Sequence, residues 1–139
     1  MKHNNIEPQS SDLILCNGVN LNCIQDGKYD IVMSTICLQH ICVYEIRYNY
    51  LAEFYRVLKE GGYITIQMGF GTPSPHSVDY YDNNYEATRT NRGCDTNISS
   101  HEQIERDLTS IGFKNFKYYI TRTGPGDCHP KWIFFNAQK

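Results

Sequence analysis

Gly27-Lys28-Tyr29-Asp30-Ile31-Val32-Met33-Ser34, followed downstream by Phe54-Tyr55-Arg56-Val57-Leu58-Lys59-Glu60-Gly61-Gly62-Tyr63-Ile64-Thr65-Ile66-Gln67-Met68, decides the fold class. The first run leaves the turn pair Asp26-Gly27 and is apolar almost without interruption through Ile31, Val32 and Met33. That pattern predicts a strand buried on both faces, as in a parallel sheet. Between the two runs, Tyr44, Tyr48, Leu51, Tyr55 and Leu58 recur at steps of four and three. They make one apolar helical stripe, with Glu45, Arg47, Glu53, Arg56 and Lys59 on the other faces. Gly61-Gly62 is expected to end the helix, since glycine takes the left-handed conformations that a side chain resists. Residues 63–68 then alternate as a second strand. Strand, helix, Gly-Gly, strand is a βαβ unit with a right-handed crossover.

Working outward, residues 12–16 (Asp-Leu-Ile-Leu-Cys) form a short strand candidate that stops at the turn pair Asn17-Gly18. Residues 1–11 are polar and carry Pro8, so they read as a tail or linker, and residues 12–139 as the domain. Residues 69–99 show little apolar periodicity and contain Pro73, Pro75, Asn83, Asn84 and Gly93. A loop this long inside a compact domain is usually functional or a lid. Ser99 or Ser100 can cap a helix reaching about Ile111, with Ile104, Leu108 and Ile111 inward and Gly112 as its stop. Residues 115–121 read as a strand, 122–130 as a Gly/Pro-rich loop, and 131–137 as the last strand. The two strands predict a terminal antiparallel hairpin. The expected class is α/β.

The chain has 139 residues, 13 Lys+Arg against 15 Asp+Glu, and 40% hydrophobic residues. That suits one domain, which at this length buries roughly two-thirds of its unfolded surface. The near-neutral balance excludes a protein devoted to holding nucleic acid, which needs clustered Lys and Arg. No stretch is apolar enough to span a bilayer, and Met1-Lys2-His3-Asn4-Asn5 lacks the apolar run of an export signal, so a cytoplasmic location is expected. The six cysteines, Cys16, Cys23, Cys37 and Cys42 among them, then read as core or incidental thiols. No C-x-x-C or C-x-x-H pair occurs. Cys37-Leu-Gln-His40-Ile-Cys42 and Cys128-His129 only approach one, so no metal is expected.

The opening run, Leu38-Gln39-His40-Ile41, and Arg56-Val57-Leu58-Lys59-Glu60-Gly61-Gly62 together resemble the class I S-adenosylmethionine-dependent methyltransferases of the type 11/12-like domain. In that family an aromatic-Asp pair opens the fourth strand, an "LQHI"-like segment starts the next helix, and "RVLKPGG" precedes the fifth strand. Ile111-Gly112-Phe113 and the strand–loop–strand ending are similar too, so the resemblance spans about residues 12–137. The family's acidic residue and G-x-G cofactor loop, and the acidic residue after its second strand, have no counterpart, because the glycines here begin at Gly18. The resemblance therefore implies the C-terminal portion of an incomplete Rossmann-like sheet, mostly parallel with a C-terminal antiparallel hairpin. Without the first two strands, the run at Ile31–Met33 becomes an open apolar edge, to be filled by residues 12–16 or by another chain in a homo- or hetero-oligomer.

The same resemblance implies S-adenosylmethionine as cofactor and a small-molecule, sugar or peptide acceptor, with no nucleic acid and no membrane involved. Ligands of open α/β sheets sit beyond the carboxyl ends of the strands. There Asn17 and Gly18 match the adenine-bonding position, against the alternative of a plain turn, and Ser34, Thr35 and Ile36 match the cofactor wall. His40 is the candidate general base or acceptor-orienting group, because an unperturbed imidazole ionises near neutrality; a helix-entry histidine bonded to backbone is the alternative. Asp127 and His129, in a Gly/Pro loop, are substrate-contact candidates. So are Tyr80 and Tyr81, which with Tyr85 and His76 could form an aromatic lid. The expected function is methyl transfer, impaired in cofactor binding for this chain alone; the alternative is a non-catalytic subunit or split-enzyme half completed by a partner.

Overall fold

The structure, a computed structural model, describes residues 13–72, 77–86, 95–124 and 129–139. The tail at 1–11, Asp12, His76 and Asp127 lie outside these residues. Chain order is β1 (Tyr29–Thr35), a 3₁₀ turn (Leu38–His40), α1 (Tyr44–Val57), β2 (Leu58–Phe70), β3 (Ser77–Asp79), β4 (Asp95–Asn97), α2 (His101–Ile111), β5 (Lys114–Arg122) and β6 (Lys131–Gln138). The main sheet has the order β1-β2-β6-β5. β1 and β2 are parallel, while β6 is antiparallel to both β2 and β5, so three strands point one way and β6 alone is reversed.

The βαβ unit forms as its periodicity predicts, but it turns earlier. α1 ends at Val57, and Leu58 is already extended. The last carbonyls of α1 are satisfied from outside: Gly27 N donates to Arg56 O at 3.0 Å and Lys28 N to Val57 O at 2.8 Å. Gly61-Gly62 therefore lies within β2, where the partner register jumps from Tyr29↔Leu58 to Ile31↔Tyr63. Gly61 takes φ +77°, and a Cβ at Gly62 would stand 2.9 Å from the carbonyl oxygens of Asp30 and Lys59. The glycines make a bulge that brings the strand against β1.

α1 and α2 cover one face of the sheet. Ile64, Ile66 and Met68 of β2, with Ile133, Phe135 and Ala137 of β6, meet Leu51, Phe54, Ile104, Leu108 and Phe113 in one core. Among the described residues, no helix packs on the opposite face. Ile31 is 63% exposed and Met33 74%, and Tyr63 and Tyr119 on the same face are also exposed. The expectation that β1 is buried on both faces is thus corrected: β1 is an edge strand with one covered side. Nor do residues 13–16 fill the slot beside it. They form no strand, and Leu13 and Leu15 are exposed. The following segment is drawn onto α1 instead, where Arg56 donates to Leu21 O, Ile24 O and Asp26, Glu53 Oε2 accepts from Leu21 N, and Asn49 donates to Val19 O.

The aperiodic stretch holds structure that its composition hides. β3 and β4 pair in parallel, Phe70 bridges to Ile98, and Val43 bridges to Asn83. The excursion thereby covers the carboxyl end of β2 and the start of α1. Arg47, expected on a solvent face, is instead buried. Its guanidinium donates to Ile41 O, Tyr80 O and Thr96 Oγ1 and lies 5.2 Å from the Tyr80 ring. Three acceptors from the excursion and the turn before α1 make that burial tolerable. Among the described cysteines, all free, Cys42 is buried, Cys23 and Cys37 are exposed and Cys16 is partly so.

Candidate active site

β1 delivers its last residues to the carboxyl end of the sheet. Ser34 is buried there, and its Oγ has no hydrogen-bond partner among the described residues. Ile36 follows with φ 51°. A β-branched residue in the left-handed region is strained by about 1–3 kcal/mol, and such strain collects at ligand sites. Ile36 and Cys37 are exposed beside it. An orphaned hydroxyl, a strained turn and an open surface at a parallel strand end fit a bound nucleoside ligand along residues 34–36.

The 3₁₀ turn then places two side chains with opposite tasks. Gln39 is buried, and its Oε1 accepts from Gly69 N at 3.1 Å, tying the turn to the end of β2. His40 has a side chain 55% exposed, with Nδ1 2.7 Å from Asp95 Oδ1. The other carboxylate oxygen, Asp95 Oδ2, is 3.4 Å from Nε2 of His129, a residue only 1% exposed. His129 Nδ1 lies 2.6 Å from Asn97 Oδ1. The Asn97 amide nitrogen donates to Thr72 O at 3.1 Å and Ser77 Oγ at 2.9 Å, so Oδ1 is the accepting end and His129 Nδ1 carries the proton. The His129 ring lies against β2 at Gly69, where an added Cβ would overlap it. The result is a continuous polar chain, His40–Asp95–His129–Asn97, with the exposed imidazole at one end and packed core at the other.

Other expected site residues fall elsewhere. Asn17 is engaged within its own turn: Oδ1 accepts from Val19 N and Asn20 N, both at 2.9 Å, and Nδ2 donates to Asn20 Oδ1. Gly18 takes φ +80° in that turn. Tyr80 is no lid but core, 1% exposed. Its hydroxyl donates to Asp107 Oδ2 at 2.5 Å, beside Tyr44, which donates to Oδ1 at 3.0 Å. Burial raises the Tyr80 phenol well above its usual range, with the neighbouring Asp107 charge adding to the shift. Burial also raises the Asp107 carboxyl, against the lowering pull of the two phenols. Tyr81 packs edge-on against Tyr44 and Tyr80, and Tyr85 donates to Glu45. Neither joins the His40 chain. His129 does, but from behind Asp95 rather than at the surface, being 1% exposed. Asp95 and Asn97 were missed, since they lie in the aperiodic stretch; their close polar spacing, Asp-Thr-Asn before the Ser-Ser cap, was the available signal.

A βαβ unit with helices on one face and an added reversed strand beside the crossover pair is the fold this chain shares with solved structures of SAM-dependent methyltransferases. The family model described as "Methyltransferase domain" matches residues 1–66. Among solved structures, a SAM-dependent methyltransferase from Methanosarcina mazei superposes with a TM-score of 0.60 at 17% identity, covering 88% of this chain and 64% of its own. One from Archaeoglobus fulgidus gives 0.58 at 17% identity, covering 91% and 66%. The phosphoethanolamine N-methyltransferase 2 of Haemonchus contortus, in complex with S-adenosyl-L-methionine, gives 0.53 at 19% identity, covering 84% of this chain and 34% of its own. The chain therefore spans under two-thirds of the length of these structures. Among curated proteins, none matches this sequence.

Proposed function

We propose that this chain is the carboxyl-terminal, acceptor-side part of an S-adenosylmethionine-dependent methyltransferase. The observation that carries the reading is the end of β1, where the buried Ser34 hydroxyl meets no hydrogen-bond partner among the described residues and Ile36 holds φ 51° beside open surface. S-adenosylmethionine, when bound, supplies a sulfonium methyl for in-line displacement, so the protein's task is chiefly to orient donor and acceptor. Ser34 Oγ and the backbone of residues 34–36 would hold the donor. His40, half-exposed one turn later, would orient the acceptor and take its proton. Neither a G-x-G loop nor an acidic residue before it precedes β1 in this sequence, so the glycine-lined wall that lets a backbone approach the ligand closely is not supplied here. Cofactor binding by these 139 residues should accordingly be weak.

Titration of the ¹⁵N-labelled chain with S-adenosylhomocysteine tests both parts. Amide shifts should concentrate at residues 34–40 and around Gly69, without saturating at micromolar ligand. Silent amides at 34–37 would overturn the site assignment. Micromolar saturation by calorimetry would overturn the claim that the pocket is incomplete.

A further inference from the structure

We propose that Asp95 is a positioning residue that fixes the tautomer of His40, leaving Nε2 as the proton acceptor for a hydroxyl or amine methyl acceptor. The proposal rests on the methyl-transfer reading above for its chemistry, but on three contacts for its geometry. His40 Nδ1 stands 2.7 Å from Asp95 Oδ1, which makes Nδ1 the protonated nitrogen and leaves the lone pair on Nε2 of the half-exposed ring. The second oxygen of Asp95 faces His129 Nε2 at 3.4 Å, a contact that restrains the carboxylate when His129 carries a proton on both ring nitrogens. His129 is itself pinned between the Gly69 backbone and Asn97 Oδ1, and its ring centroid lies 5.0 Å from that of Trp132. A carboxylate held by a buried group, orienting an exposed imidazole, is the arrangement that sets a histidine to accept a proton.

The acceptor class follows from the chemistry. A base is useful only where the nucleophile still carries a proton at neutral pH, as an O–H or N–H group does and a thiolate does not. In the step, the proton of the acceptor passes to His40 Nε2 and its electron pair forms the new bond to the methyl carbon. The C–S pair returns to sulfur, so the sulfonium becomes a thioether and His40 an imidazolium facing the Asp95 carboxylate. No oxidant or reductant enters.

Two measurements test it. In long-range ¹H–¹⁵N spectra of the full chain, with the His40 signals identified by His40→Gln, wild-type His40 should show one neutral tautomer, Nδ1–H. Asp95→Asn, whose amide can donate to Nδ1, should abolish that preference while the other backbone amides stay in place; Asp95→Glu should restore it. A wild-type His40 in the Nε2–H form, or a tautomer mixture indifferent to Asp95→Asn, overturns the proposal whatever the cofactor titration shows. Where wild type transfers methyl groups, Asp95→Asn should lower kcat for alcohol, phenol or amine acceptors by about 10²-fold, the lower end of general-base effects, with little change in KM, and spare a thiol acceptor ionised beforehand. An equal loss on the thiol would make Asp95 merely structural and overturn the assignment. Failure of Ser34–Cys37 to sense S-adenosylhomocysteine, with the tautomer held by Asp95, would instead remove the methyl-transfer reading and leave the orientation of His40 standing.

Discussion

Gly69 carries a constraint that no local pattern announces. It sits in β2, in an ordinary strand position, yet a Cβ there would overlap the ring of buried His129. Gly69→Ala should push that ring off its seat and break the His129–Asn97 bond, at a cost of about 1–3 kcal/mol typical of overpacking. Urea denaturation reads the loss, and the imidazole resonances of His129 should shift with it; an unchanged midpoint would mean that the loop holding His129 yields without cost. The contrast with His40 shows what a sequence carries at this scale. His40 stood out because it follows a strand end in a recognisable run. Asp95 and Gly69 acquire their roles only when three distant segments close on one another, and no spacing along the chain encodes that closure.

Among the elements, α2 was the most legible. Ser100 accepts from Glu102 N, Gln103 reaches back to the Ser100 backbone, and Gly112 closes the helix at φ +119°. Each of these is a local device, visible within a few residues. Ser100→Ala should cost about 1 kcal/mol, measured as a lowered urea midpoint with unchanged slope. β3 and β4 were illegible for the opposite reason. They are three residues each, paired across a long separation, and Arg47 of α1 donates to Thr96 Oγ1 in β4 and to Tyr80 O just after β3.

The lock between α1, α2 and this excursion has a pH signature. Burial, then the Asp107 charge, raises the phenols of Tyr44 and Tyr80 above their ordinary value near 10. A raised folded value means stability that is fully present below about pH 10 and lost as pH climbs towards the folded values. Raised Asp107 has the same sign at the acid end: its contribution is greatest below the ordinary carboxylate range and declines as pH rises through its folded value. We expect two phenolate absorbance steps at 295 nm to coincide with loss of helical circular dichroism in the alkaline range. Tyr80→Phe should remove one of them and weaken the fold at neutral pH, by roughly 1–3 kcal/mol for a buried acceptor left short of a donor. Titration of all tyrosines before any unfolding would contradict the lock.

At the scale of the molecule, the sheet is half of a sandwich. Strands running in one direction are normally covered by helices on both faces, yet both helices pack on one side, while Ile31, Met33, Tyr63 and Tyr119 line the other. The near-continuous apolarity of residues 31–33 predicted burial on both faces, and it failed because, among the described residues, both helices pack on the other side of β1. An exposed apolar face beside a strand edge that no described strand pairs is unfavourable in water as a monomer surface. We therefore expect the 139-residue chain to associate through this face, either with itself or with another chain, and light scattering after gel filtration should show a mass above the monomer at micromolar concentration. Met33→Lys, on the exposed face of β1 and away from the core, should return it to the monomer without lowering its unfolding midpoint by more than about 0.5 kcal/mol, the usual range for a surface change. A wild-type chain that remains monomeric up to high concentration would show that the bare face is tolerated as it stands, and the split-enzyme alternative would lose its physical motive.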